Sequence, residues 1–291
     1  MAESFTVAHA SDPHLGHRRE ADAAENARVV AEAIAGDAEV GLVVVAGDLT
    51  DDGDRSPEDF GLAQAWLASL GKPWRVVPGN HDVGAFTAVG EGVVTEEACR
   101  RFADAFGPAS GGDRWADHEA APGWSLLGVN AMVAGSGLAR EKEQQRWLVA
   151  QRRVAHQRGH VVGLVTHAPL FVNEPDEALG SVHGYWTALP AARDAMLRPE
   201  PAGDLAPLGL VLSGHLHQCR GFEAVLPGHA GATRFAWSPA ASGSIVDAPA
   251  FPLDEGRRRT GYWRHRLGAD GRVDSEFVGV ALKTRVYRPT E

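Results

Sequence analysis

Short apolar runs alternate with helical periodicity through the first two thirds of the chain, and most runs end in small or polar residues. Residues 5–10 predict a strand, 20–35 an Ala-rich helix, and 41–46 a wholly apolar strand of the kind buried on both faces. Strand, helix, strand is how a parallel sheet begins. Pro57 opens the next helix, in which Phe60, Ala63, Leu67 and Leu70 recur at spacings of three and four. A third strand follows at 74–77, then a helix at 95–106 capped by Thr95, a strand at 126–129, an amphipathic helix at 139–157 and a buried strand at 161–165. A helix near 187–197 leads to a strand at 208–212. Trp66 and Trp147 fall within helical stripes and are assigned to the core.

Past Gln218 the helical periodicity gives way to strands at 233–237, 262–267 and 273–278, the last two flanking the hairpin turn Ala269-Asp270-Gly271. No linker or repeat sets off this strand-rich part, from about 219, so residues 1–291 are read as one domain. The expected fold is α/β in layers, two mixed sheets packed as a sandwich and flanked by helices, with strand order left open.

Composition narrows the classes of function. The 291 residues carry 28 Lys+Arg against 38 Asp+Glu, a net charge of −10, which argues against coating nucleic acid. No apolar run approaches the roughly 18 residues of a membrane span. No secretory signal precedes the first strand, and two cysteines, Cys99 and Cys219, are too few for a disulfide framework, so the chain is placed in the cytoplasm. Histidine stands out, at 13 residues, and its positions carry the chemistry.

Five polar motifs sit where strands end: Asp12-Pro13-His14, Gly47-Asp48, Gly79-Asn80-His81-Asp82, Thr166-His167 and Gly214-His215-Leu216-His217. Ligands of α/β sheets gather at the carboxyl ends of strands, so the five loops are expected to converge on one edge. Together they offer carboxylates, an amide and imidazoles, more than one ion needs. A nitrogen and oxygen set without thiolate suits two hard or borderline ions, manganese, iron or zinc. Asp48 is the expected bridge, because a carboxylate spans the roughly 3.5–4 Å of a two-metal site.

The motif series resembles that of the calcineurin-like metallophosphoesterases, complete from Asp12 to His217. The resemblance implies a helix-flanked β-sandwich with a dinuclear centre of two divalent or mixed-valence ions. Carried over by motif, Asp12, His14, Asp48 and His217 hold one ion, and Asp48, Asn80, His167 and His215 the other. His81 stays off the ions, faces substrate and protonates the leaving oxygen, while a water bridging the ions attacks phosphorus in line. Asp82 either orients His81 or makes a turn contact. Leu15 stands where the purple acid phosphatase branch has tyrosine, so no iron–tyrosinate colour is expected.

Gly47-Asp48-Leu49-Thr50-Asp51-Asp52-Gly53 resembles the branch of cyclic nucleotide phosphodiesterases and glycerophosphodiesterases, which makes small phosphodiesters the expected substrates. Ser11-Asp12-Pro13-His14-Leu15-Gly16 is also similar to DNA-repair exonucleases, so nucleic acid enters as the alternative substrate, and a metal-free scaffold is the third reading. His17, His183, Tyr185 and Trp186, with Asn80 and His81, are the candidate substrate contacts. His9 is read as a supporting or structural residue. No membrane partner is expected, and a homo-oligomer is left open.

Overall fold

Leu42, Val44 and Ala46 point to one side of their strand, Val43 and Val45 to the other, and all are buried because the sheet they belong to is covered on both faces. The computed structural model describes residues 4–16, 21–85, 92–172, 174–175, 190–197, 202–226, 231–245, 259–282 and 286–287. Its strands are β1 (Ser4–Ala10), β2 (Leu42–Val45), β3 (Trp74–Val76), β4 (Trp115–Ala121), β5 (Trp124–Gly128), β6 (Val161–Val165) and β7 (Leu208–Ser213). They continue as β8 (Arg220–Val225), β9 (Ala232–Trp237), β10 (Ser244–Ile245), β11 (Gly261–Gly268), β12 (Val273–Gly279) and β13 (Val286–Tyr287). The helices are α1 (Ala21–Gly36), α2 (Phe60–Ser69), α3 (Asn80–Val83), α4 (Glu96–Ser110), α5 (Ala139–Gln157) and α6 (Pro190–Leu197).

One sheet runs β12-β11-β1-β2-β3, the other β4-β5-β6-β7-β9-β8, and β10 pairs with β13. β1, β2 and β3 are parallel, as are β5, β6, β7 and β9; β11 runs antiparallel to β1. Three apolar layers follow from the alternation of side chains. Val7, Val44, Trp124, Leu212 and Trp263 pack between the sheets. Val43 and Val45 meet Val30 and Ile34 of α1 and Phe102 and Phe106 of α4. Leu164 and Val211 meet Leu148 of α5 and Leu197 of α6. The two mixed sheets and their flanking helices are the expected layered α/β sandwich.

Several local expectations are corrected. Pro57 begins a 3-10 turn, Pro57–Asp59, and the α-helix starts only at Phe60. α4 runs on to Ser110 and ends at Gly111 in the left-handed conformation, φ 91°; Thr95 caps it by accepting from the Ala98 N–H at 3.0 Å. The strand-rich C-terminal part joins both sheets, β8 and β9 completing one while β11 and β12 extend the other. Trp66 is buried and donates its indole N–H to the Ala27 carbonyl, but Trp147 is only half-buried. Among the described residues no helix is long and apolar enough to cross a membrane.

Candidate metal centre

The five motifs leave the carboxyl ends of β1, β2, β3, β6 and β7, and their loops are bonded to one another as the strands are. Asp12 N–H donates to the Gly47 carbonyl and His14 N–H to that of Asp48, both at 3.0 Å, and Gly214 N–H donates to the His167 carbonyl at 3.0 Å. The ladder continues past the strands, so the loops are held before any ligand arrives. Among the described residues the non-glycine positions in the left-handed region are Asp12 (φ 55°), His14 (47°), Asp48 (51°), His215 (68°) and His217 (53°). Each is a candidate ligand. Such backbone costs roughly 1–3 kcal/mol per residue and persists where surrounding bonds enforce it. Gly79 completes the fit, because a Cβ there would run into the Asp48 carboxylate.

Two groups of side chains share Asp48. Asp12, His14, Asp48 and His217 make one and Asp48, His167 and His215 the other, all buried; His14 also forms a third group with the half-buried Asp51 and His81. His14 Nε2 lies 3.0 Å from His217 Nε2, which is 3.3 Å from Asp12 Oδ1. His167 Nε2 lies 3.0 Å from Asn80 Oδ1, 3.2 Å from His215 Nδ1 and 3.2 Å from Asp48 Oδ2. Two nitrogens at right angles and each about 2.1 Å from one ion lie about 3.0 Å apart, so these spacings suit the edges of two coordination polyhedra. Asp48 Oδ2 also faces His14 Nε2, at 3.8 Å, while Oδ1 accepts the His81 N–H at 3.0 Å.

Charge agrees with this fit. Burial works against the charge on Asp48, but the imidazoles of His167, His81 and His14 outweigh it and hold the carboxyl well below the usual range. Burial also opposes charge on His167, yet Asp48, then Asp12 and the Ala46 carbonyl, raise it to about 9. A metal ion in place of the His167 Nε2 proton would supply the same positive charge beside Asp48. His167 donates its Nδ1–H to the Ala46 carbonyl at 2.7 Å, which leaves Nε2 for an ion.

His81 is half-buried, as is Asp51. The His81 Nδ1–H donates to the Asp51 carbonyl at 2.7 Å, which fixes the orientation of the ring. Asp82, expected to orient His81 or make a turn contact, makes the local contact to the Gly79 N–H and also ties the ligand loops together. It accepts from the N–H groups of Leu49, Thr50 and Gly79 and from Thr50 Oγ1, at 2.8–3.1 Å. Burial and the Asp48 carboxylate push it up to about 6 against those bonds. Asp82→Asn places an amide donor against N–H donors and is expected to lower stability by roughly 1–3 kcal/mol, read from the urea midpoint.

His9 is wholly buried between the sheets, its ring 5.8 Å from that of His265, and burial drives it down to about 3, so it serves as a neutral core residue outside both groups. Cys99 and Cys219 are buried in apolar clusters. His17, His183, Tyr185 and Trp186 lie outside the described residues. The sequence reading missed Asp51, whose Oδ1 is 3.7 Å from His14 Nδ1, and Ser242 and Ser244, which support Asp12 and His217 from behind. The serines sit in a run of small residues with no periodic signal; Asp51 lies three beyond Asp48 in the loop that follows β2.

Two groups of candidate cation ligands that share Asp48 thus sit at the edge of a two-sheet sandwich. The sequence pattern described as calcineurin-like phosphoesterase matches residues 5–219, and the chain belongs to that family, whose members are metal-dependent hydrolases of phosphoesters. Comparison with curated proteins finds no match. A dimetal phosphatase from Danio rerio shares the fold at 13% identity and TM-score 0.56, over 95% of this chain and 99% of that one. A purple acid phosphatase from yellow lupin (Lupinus luteus) does so at 11% and 0.59, over 96% of this chain and 54% of that one.

Proposed function

We propose that the protein is a dinuclear metal-dependent phosphodiesterase for small phosphodiesters, of cyclic nucleotide or glycerophosphodiester type. Asp12, His14, Asp48 and His217 would hold one ion, and Asp48, Asn80, His167 and His215 the other. Two such ions, manganese, iron or zinc by the donor chemistry, supply charge neutralisation at the phosphoryl oxygens and an acidified water as nucleophile. The chain's own residues do the rest. Asp48 and the strained loops fix the spacing of the donors, and His81, oriented through Nδ1, presents Nε2 to donate a proton to the leaving oxygen.

The charge inventory carries the choice of a diester. Among the described residues Asp12 and Asp48 are met by imidazoles and by no lysine or arginine. Several arginines elsewhere are committed to carboxylates, as Arg75 to Asp117, Arg140 to Asp113 and Arg266 to Glu39, while Arg152 and Arg220 bond to backbone carbonyls. A diester brings one negative charge, a monoester nearly two, and a polynucleotide a row of them that needs a basic track. Bis(p-nitrophenyl) phosphate is therefore expected to turn over faster than p-nitrophenyl phosphate, with weak, non-processive action on DNA. A monoester preference would overturn the diester reading. Tight DNA binding with a steep salt dependence and exonuclease products would favour the nuclease.

A further inference from the structure

We infer that Ser242 and Ser244 act as positioning residues that set the tautomer of His217. The argument counts protons. Ser242 Oγ donates to the Asp12 carbonyl at 3.0 Å, and a carbonyl only accepts. That spends the one proton of Ser242, so in the 3.0 Å contact between the two hydroxyls Ser244 is the donor. Its own proton is then spent as well. Ser244 Oγ, 3.0 Å from His217 Nδ1, therefore accepts from Nδ1–H. In neutral His217 the lone pair is then on Nε2, and Nε2 is the atom that faces His14 and Asp12.

The relay has a fixed frame. Ala241 N–H donates to the Ser11 carbonyl at 2.8 Å and Ser242 N–H to that of Asp12 at 3.2 Å, which docks the serine loop on the end of β1. Asn26 of α1 donates from Nδ2 to the Ser242 carbonyl at 3.0 Å, and both serines are buried. His167 reaches the same tautomer with a single backbone acceptor, the Ala46 carbonyl. For His217 two hydroxyls carry the polarity to the main chain of Asp12. One residue thus offers a carboxylate to the ion and terminates the chain of bonds that aims a second ligand at it.

The inference rests on His217 being a ligand, and the test separates the two. In the metal-free wild type, long-range 1H–15N correlation on histidine-labelled protein should show His217 protonated at Nδ1 and pyridine-like at Nε2. Titration with Mn2+ should show two sites, and Ser244→Ala should weaken one of them roughly 10–100-fold while leaving the other unchanged. Ser244→Thr, which keeps the hydroxyl, should restore it, and Ser242→Ala should weaken the same site if Ser244→Ala does not fold. A wild-type His217 protonated at Nε2, or full Mn2+ affinity in Ser244→Ala, would overturn the relay. His217→Ala should lose one site whatever the serines do. If it keeps both, the ligand assignment fails; if it loses one while Ser244→Ala loses none, the assignment stands and the relay fails.

Discussion

Asp48→Asn is expected to empty both halves of the centre. In a metal analysis of the purified variant, about two ions per chain in the wild type should fall to well under one. The reason lies in how the two carboxylate oxygens are used. Oδ2 faces His167 Nε2 at 3.2 Å and His14 Nε2 at 3.8 Å, while Oδ1 accepts the His81 N–H. If the amide of asparagine turns its nitrogen toward the imidazoles, the shared donor atom is lost. If it turns the nitrogen the other way, that NH2 meets the His81 N–H donor, and a neutral oxygen is all that remains for two cations. Either way the bridge loses its charge. Cations of such sites contribute several kcal/mol of transition-state stabilisation, so turnover should fall by at least about 10³-fold. A variant that retains both ions at wild-type affinity would show that Asp48 is not the bridge.

His81→Ala should keep its metals and lose roughly 10²–10⁴-fold in turnover, the range of a positioned general acid. Metal retention is expected because none of the 3.0–3.3 Å contacts within the two groups uses the His81 ring. Its backbone N–H, which holds Asp48 Oδ1, survives the substitution. The loss should depend on the leaving group. An alkoxide or nucleoside needs a proton as it departs, whereas p-nitrophenolate leaves without one, so the ratio of wild-type to variant rate should grow with leaving-group basicity. A ratio flat across the series would assign His81 to holding the phosphoryl group, and loss of an ion would make it a ligand.

The candidate ligands were readable because each follows a run that only a buried strand explains. Asp48 closes Leu42 to Ala46, and His215 and His217 close the run that ends at Ser213. Alternation also gave β11 and β12, whose hairpin pairs Leu267 with Val273 across Ala269-Asp270-Gly271. β4 carried no such signal. Its Asp117, His118 and Glu119 lie on an edge strand with solvent on one side, and the pairing with β5 shifts register between Asp117 and Ala121. β8 is the other edge of that sheet, and its exposed Glu223 and Val225 blur the pattern in the same way. The left-handed backbone at Asp12, His14, Asp48, His215 and His217 was also unreadable, since neither aspartate nor histidine announces it as glycine does. It is imposed by loop-to-loop hydrogen bonds that exist only once the sheets have formed.

β1 lies between β2 and β11, so the strand that ends at Asp12 takes one neighbour from early in the chain and the other from residues 261–268. The centre also closes over long intervals, 203 residues between His14 and His217 and 230 between Asp12 and Ser242. During synthesis at about 5–20 residues per second, roughly 10–40 s separate the making of His14 from that of His217. A nascent chain passes that time with Asp12 and His14 far from their later partners, competing for ions no better than any flexible peptide. Ion uptake by such a centre is therefore expected after synthesis, and a cell short of the right ion would accumulate finished apoprotein rather than arrested chains.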